Sequence, residues 1–177
     1  IRTAYQTDLG ESDGIVQTTS NSHIPNSREL VHWLAEAKDS QCKAAVIEMS
    51  ETEARHGHYD AIQFDIIVIC RTASGTDDFG PSGLQCSLDR LAHDGVVIAS
   101  ADEPSVTREL QNHSVRTLTY VIHKNADVTA QIFDQTDGVC TLLLTHQNST
   151  AVMETCLCGH AMASNHAAAA VVGLLLA

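Results

Sequence analysis

Two groups of residues in this chain have types and spacings that could do chemistry. The first is Glu48, which comes directly after the apolar run Ala44-Ala45-Val46-Ile47. Ligands of open α/β sheets collect at the carboxyl ends of the strands, so this position predicts an acid that handles a metal or a phosphate. The second is Cys156-x-Cys158-x-His160. Structural zinc sites space their cysteines by roughly two to four residues and need a second ligand pair, so we do not expect zinc here.

The elements that must position Glu48 can be predicted from the apolar patterns around it. Residues 44–49 and 64–70 are short, nearly continuous apolar runs bounded by polar residues, which is typical of parallel strands buried on both faces. Before the first run, Asn26 and Glu29 have the spacing of a helix capping box. This helix supplies the crossover that parallel pairing requires. We expect residues 44–49, 64–70 and 96–99 to form adjacent parallel strands.

Strand and helix signals continue along the chain. Ser82 and Gln85 have the capping-box spacing before a second helix, with Leu84, Leu88 and Leu91 as its apolar stripe and Gly95 as its stop. Pro104 suits the first turn of a third helix. The predicted strands around these helices are 2–7, 96–99 and 116–122. This alternation predicts a doubly wound α/β fold.

The pattern changes after Lys124. Residues 128–133, 139–145 and 151–157 are predicted strands with no helix between them, and Asp137-Gly138 is a hairpin turn signal. They indicate a small three-stranded antiparallel sheet near the C-terminus. Ser164 or Asn165 is expected to cap a closing apolar helix.

The fold class predicted from these signals is α/β, with a mostly parallel sheet flanked by helices. We expect a single domain over residues 1–177. Within it, 1–124 form the parallel α/β part, 125–158 the antiparallel sheet and 159–177 the closing helix.

Composition excludes several classes of partner and site. The net charge of −12 argues against binding to nucleic acid or to an anionic membrane surface. The six cysteines are expected to be reduced thiols of a cytosolic protein. The apolar run Ala167–Ala177 is only about half the length of a membrane span, and no secretory signal is visible. The chain begins at Ile1 without Met, which indicates a processed protein or a piece of a larger one.

Four stretches, together with the element order, resemble the central domain of the Mur ligases, nearest to the UDP-N-acetylmuramoyl-tripeptide synthetase type. They are Ala45-Val46-Ile47-Glu48-Met49-Ser50, Asp60 to Val68, Asp94 to Pro104, and Gly159 through Asn165 into the Ala-rich helix. The resemblance spans nearly the whole chain.

This resemblance implies a known chemistry, in which ATP and magnesium are used to phosphorylate a carboxylate that an amino acid's amine then attacks. It also implies a UDP-muramoyl peptide and an amino acid as substrates, a cytoplasmic location, and further N- and C-terminal domains in a longer protein. By the same resemblance Glu48 corresponds to a strand-end acid that serves magnesium. Asn165 corresponds to an Asn near the adenine, Asp102 to an Asp near the nucleotide, and His160 stands in place of the usual Arg.

Several of the family's features are missing. The phosphate-binding Gly-x-x-Gly-Lys-Thr loop would precede the segment resembling Ile1 to Asp8, and no such motif occurs in the chain. Either the chain is truncated at its N-terminus and the loop was left outside it, or this lineage never had the loop. The family's Thr-Asn and Asp-His pairs are replaced by Cys70-Arg71 and Gly75-Thr76, and its Ser-His by Glu51-Thr52. The helix that should carry a carbamylated Lys has none, with only Ser87, Asp89 and Arg90 nearby. We therefore expect weak or absent ATP and magnesium binding, and we assign no catalytic residue.

Each retained position has a structural alternative. Glu48 could only cap a strand end, Asn165 could only cap the last helix, and Asp102 with Pro104 could only start one. Two functions remain open: the central domain of a divergent Mur-type ligase, and a pseudo-ligase that serves as a binding or scaffolding module. An unrelated flavodoxin-like domain is a third option, because fold alone does not fix function.

Overall fold

The computed structural model describes residues 1–19, 26–70, 83–122 and 126–176. They form two compact units. The N-terminal unit comprises Ile1–Gln63 and Asp77–Arg90, and the C-terminal unit comprises Phe64–Thr76 and Leu91–Ala177.

The strands and helices follow one another in mixed order along the chain. The strands are β1 (Thr3–Thr7), β2 (Gly10–Ser12), β3 (Gln17–Thr19), β4 (Ala44–Ile47), β5 (Phe64–Ile69), β6 (Leu91–Ser100), β7 (Arg116–Ile122), β8 (Val128–Thr136), β9 (Val139–His146) and β10 (Ser149–Thr155). The helices are α1 (Ser27–Asp39), α2 (Glu51–Arg55), α3 (Gly83–Leu88), α4 (Pro104–Gln111) and α5 (His160–Leu176).

The N-terminal unit contains a four-stranded sheet of order β3-β2-β1-β4. Strands β1 and β4 are parallel, and α1 connects them as predicted. Helix α1 begins with the expected capping box, in which the Asn26 side chain accepts from the N–H of Glu29 and the Glu29 carboxylate accepts from the N–H of Asn26. Its buried residues are Leu30, Trp33 and Ala37.

The C-terminal unit contains a six-stranded sheet of order β10-β9-β8-β7-β6-β5. Strands β5, β6, β7 and β8 are parallel to one another, and β9 is antiparallel to both of its neighbours, β8 and β10. Helix α5 packs on this sheet and closes its core. The core includes Ile98, Tyr120, Val128, Leu142 and Val171. The predicted class, α/β with a mostly parallel sheet flanked by helices, is confirmed.

The three strands near the C-terminus are present, but they do not form a sheet of their own. Strand β8 is hydrogen-bonded in parallel to β7, so these strands extend the parallel sheet. Val128 and Ala130 are 2% and 0% exposed and belong to the core under α5. Their burial in that layer is the physical reason for the continuous sheet. The expected hairpin turn is present, since Asp137 and Gly138 have φ values of 52° and 78°.

Two predictions about strand neighbours and helix ends were wrong. Residues 44–47 pair with β1 rather than with β5, and Val46 is 56% exposed because β4 has one neighbour among the described strands. Strands β5 and β6 are adjacent and parallel, as expected. Gly95 does not end a helix: α3 ends at Leu88, and Gly95 lies inside β6 next to a register shift.

Among the described residues, no helix combines the length and the apolar character that a membrane crossing would require.

Candidate functional site

Glu48 lies directly beyond β4, at the carboxyl end of the strand, as the sequence predicted. Its backbone N–H donates to the carbonyl of Gln6 at 2.8 Å, which continues the pairing with β1. Its carboxylate Oε2 accepts from the backbone N–H of Asp8 at 3.0 Å. The side chain is exposed. Glu48 thus caps the neighbouring strand with one oxygen, and its role as a magnesium ligand stays a prediction.

The described residues do not fit a complete magnesium site. Within them, no group of three or more His, Cys, Asp or Glu side chains is arranged to hold a metal ion. Magnesium requires near-octahedral oxygen coordination, usually from one or two carboxylates together with waters and phosphate oxygens. Glu48 alone supplies one such carboxylate. We therefore derive no reaction step through a metal or a nucleotide.

Helix α3 is the helix for which the resemblance to the Mur ligases implied a carbamylated lysine. Ser87 is 6% exposed, and its hydroxyl donates to the carbonyl of Gly83 at 2.9 Å. The same hydroxyl lies 3.8 Å from the sulfur of Met49, the residue after Glu48. A serine bonded within its own helix cannot supply the negative charge of a carbamate.

The two charged residues that follow α3 are also engaged locally. Asp89 accepts from the side-chain amide of Gln85 at 2.8 Å. The Arg90 guanidinium donates to the carbonyl of Asp60 at 3.2 Å and lies 3.7 Å from its carboxylate. Arg90 is thereby directed to Asp60.

Helix α2 was missed by the sequence reasoning, although its signal was available in the Ser50-x-x-Glu53 spacing. Ser50 accepts from the N–H of Glu53, and the Glu53 carboxylate accepts from the N–H of Ser50. The Tyr59 hydroxyl also donates to this carboxylate. Burial, followed by the bond to Glu53, raises the pKa of Tyr59 well above its usual value. The substituted residues Glu51 and Thr52 form the first turn of this helix.

Asp102 lies beyond the end of β6 and forms a hydrogen bond with the last residue of β7. Its carboxylate accepts from the backbone N–H of Ile122 at 3.3 Å, and its own N–H donates to the Ser100 hydroxyl at 3.2 Å. Helix α4 begins at Pro104 with Glu103 as its N-cap, and no side chain caps it. The alternative that Asp102 caps this helix is therefore wrong.

His160 and Asn165 lie in the first two turns of α5. The helix begins at His160, four residues earlier than the Ser164 cap that was expected, because Gly159 adopts a φ of +97° and its carbonyl accepts from the N–H of Ala163 at 2.9 Å. Neither Ser164 nor Asn165 caps the helix. Both His160 and Asn165 are exposed.

A buried hydroxyl in the same unit escaped the sequence reasoning. Tyr120 of β7 is 0% exposed, and its hydroxyl donates to the carbonyl of Ile69, the last residue of β5, at 3.3 Å. Burial raises the pKa of Tyr120 and also that of Cys70, which follows Ile69. The alternation of β7 predicted a strand but did not indicate which of its residues would reach another strand end.

The cysteines form no metal cluster within the described ranges. All six are free thiols. The Cys158 thiol donates to the carbonyl of Cys156 at 3.7 Å.

The candidate residues are divided between the two units. Glu48 belongs to the N-terminal unit, whereas Asp102, His160 and Asn165 belong to the C-terminal unit. The substitutions at Arg71, Gly75 and Thr76 lie outside the described residues.

The chain is similar to known proteins in sequence over slightly less than half of its length and in fold over almost all of it. Residues 88–173 match the family model of the Mur ligase middle domain. No curated protein matches the chain in sequence. Among solved structures, it is similar to UDP-N-acetylmuramoyl-L-alanyl-D-glutamate--2,6-diaminopimelate ligase, with a TM-score of 0.78 and 19% identity. The match covers 99% of this chain and 38% of that ligase. Residues 88–173 therefore resemble the Mur ligase middle-domain family in sequence, and the chain as a whole has the fold of a Mur ligase central domain.

Proposed function

We propose that the chain acts as the central domain of a divergent Mur-type, ATP-dependent amino-acid ligase of peptidoglycan precursor synthesis. The observation that carries this proposal is the shared fold over 99% of the chain, together with the middle-domain match over residues 88–173. Since the chain spans 38% of the similar ligase, the remaining N- and C-terminal domains would be supplied by a longer protein. The substrates would be a UDP-muramoyl peptide and an amino acid, joined in the cytoplasm.

A second candidate is a pseudo-ligase that has kept the fold for binding or scaffolding. It is favoured by helix α3, where Ser87 is buried and bonded to Gly83. Arg90, at the end of this segment, is directed to Asp60. A carbamylated lysine would contribute a negative charge at this place, and neither Ser87 nor Arg90 supplies one. We therefore propose that ligase activity is strongly reduced.

Electrostatics at the end of β4 also oppose nucleotide binding. The exposed carboxylates of Asp8 and Glu48 lie on adjacent strand ends, joined by the bond from the Asp8 N–H to Glu48. The chain carries a net charge of −12. Without backbone donors and a lysine to neutralise it, a triphosphate placed near these acids would be repelled. We propose that Asn165, Asp102 and His160 would contact a nucleotide only weakly.

The decisive assay measures amino-acid-dependent phosphate release from ATP on the full-length protein, with UDP-muramoyl peptides as acceptors. The loss of one electrostatic element typically lowers a rate by about a hundredfold or more, so we expect turnover far below one per second. Turnover on the order of one per second would contradict reduced activity and remove the pseudo-ligase candidate.

Two variants distinguish the two candidate functions, divergent ligase and pseudo-ligase, when residual ligase activity is measured. Glu48→Gln removes the proposed magnesium ligand and keeps the acceptor for the Asp8 N–H. Glu154→Gln, on the exposed strand β10, is the matched control for a lost surface carboxylate. A rate lowered by the first variant alone supports a divergent ligase. No activity above background in any of the three proteins supports the pseudo-ligase.

Nucleotide binding by the chain itself is measured by titration calorimetry with magnesium-ATP. We expect no saturable heat at micromolar concentrations, since the described residues lack a phosphate cradle. Micromolar affinity would contradict this expectation and point to a different phosphate site.

A further inference from the structure

The Tyr120 hydroxyl connects two strands that are not neighbours. In the sheet order β7-β6-β5, Tyr120 is paired in register with Ser100 of β6. Its side chain passes over β6 and donates to the carbonyl of Ile69 at the end of β5, at 3.3 Å. A single side chain therefore links the carboxyl ends of β7 and β5.

The same hydroxyl lies beside helix α5. The side chains of Ser164 and Cys70 are close enough to act on the ionisation of Tyr120. Ser164 lies in the second turn of α5, one residue before Asn165. Tyr120 also belongs to the apolar layer that contains Ala163 and Ala167 of this helix. The hydroxyl thus stands where β5, β7 and α5 meet.

Tyr120 remains a neutral hydrogen-bond donor at ordinary pH. Burial raises its pKa well above the usual value, so the O–H is retained. Buried hydrogen-bonding groups are costly to leave unpaired, and loss of this donor would leave the Ile69 carbonyl without its partner from β7. The bond consequently favours one arrangement of the strand end.

We propose that Tyr120 is a positioning residue that holds the end of β5 and the second turn of α5 in one fixed arrangement. Asn165, the residue assigned above to a nucleotide, is carried on that turn, and its importance rests on the proposed function. The mechanical role of Tyr120 rests on the hydrogen bond to Ile69, the packing against α5 and the position of the hydroxyl beside Ser164.

Hydrogen exchange on Tyr120→Phe tests this role while the ring and its apolar contacts are kept. We expect amide exchange to rise by about fivefold to tenfold in two separate segments, because 64–70 loses the hydroxyl bonded to Ile69 and 160–168 loses the hydroxyl beside Ser164. The Asn165 side-chain amide signal in an NMR spectrum should also shift. Tyr5→Phe is the matched control, since Tyr5 lies in the other unit. It should change neither segment.

Ser164→Ala, alone and combined with Tyr120→Phe, measures the coupling between the two hydroxyl groups. If both hydroxyls act at one junction, the double variant should raise exchange less than the product of the two single effects. A rise in only one segment, a uniform rise over the whole unit, or independent effects of the two substitutions would overturn the proposal. None of these measurements requires nucleotide or ligase activity. A result that overturns the role of Tyr120 would therefore not contradict the proposed function. Equally, a protein without ligase activity would not contradict the role of Tyr120.

Discussion

In the C-terminal unit, α5 packs on the sheet and covers a layer of buried apolar side chains. In the N-terminal unit, polar side chains stabilise the helix ends by hydrogen bonds. The buried apolar cluster that includes Ile98, Leu142 and Val171 lies wholly in the C-terminal unit. The N-terminal unit instead has two capping boxes, begun by Asn26 and Ser50.

This difference between the two units agrees with the part of the chain that the Mur ligase family model matches. Residues 88–173 match the Mur ligase middle-domain model, and nearly all of them belong to the C-terminal unit. The fold similarity covers 99% of the chain and so includes the N-terminal unit. A shared apolar layer restricts residue type at many positions, while local caps need only a few polar residues. The N-terminal unit can thus keep its backbone while the residue types at its strand and helix ends change.

The largest expected effect comes from removing part of the C-terminal layer. Leu142 is 0% exposed on β9, so Leu142→Ala should lower the free energy of unfolding by about 2 to 5 kcal/mol, because it leaves a cavity under α5. Leu143→Ala, on the opposite face of the same strand and partly exposed, is the control and should cost clearly less. Urea denaturation measures both. Equal losses would show that the layer under α5 is not what holds this unit.

A close contact in the N-terminal unit gives the next largest effect. A Cβ at Gly83 would overlap the Cβ of Glu51 and stand 2.7 Å from its Cα, so Gly83→Ala should cost about 1 to 3 kcal/mol of unfolding free energy as α2 and α3 move apart. Gly173→Ala in α5 meets nothing within 4 Å and should instead stabilise the chain by up to about 1 kcal/mol. Thermal unfolding of the two variants checks the opposite signs. A stabilising Gly83→Ala would mean that α2 and α3 pack less tightly than described.

The smallest expected effect concerns acid sensitivity. The backbone N–H groups of Val16 and Ile15 donate to the Asp13 carboxylate at 2.8 Å each and lower its pKa. Its contribution to stability is therefore present above the ordinary carboxyl pKa of about 4 and is lost as the pH falls through the lowered value. Asp13→Asn keeps the acceptor oxygen but cannot titrate.

Urea midpoints at about pH 7 and about pH 3 measure this effect. The difference between the two midpoints should be slightly smaller for Asp13→Asn than for the unmodified chain. Asp65→Asn, an exposed position on β5, controls for the loss of one negative charge. If both variants reduce the difference equally, net charge rather than the Asp13 turn is responsible.

Much of the local structure was predicted correctly from sequence because its signals are short-range. The Asn26 capping box, the Asp137-Gly138 turn and the Pro104 helix start each depend on neighbouring residues only. The apolar runs likewise marked β4 and β5. The candidate site could be predicted only in part, since Glu48 was placed correctly at a strand end but the contacts of Asp102 and Tyr120 depend on other strands.

The sequence by itself determined where strands, turns and caps form, because backbone preferences and apolar periodicity act over a few residues. The tertiary structure alone decided that β4 pairs with β1 and that β8 continues the parallel sheet beside β7. An apolar run is compatible with several neighbours, and the choice depends on which pairing buries residues such as Val128 and Ala130 beneath α5. The role of Tyr120 was decided in the same way, since its hydroxyl meets the Ile69 carbonyl only after β5, β6 and β7 have assembled in register.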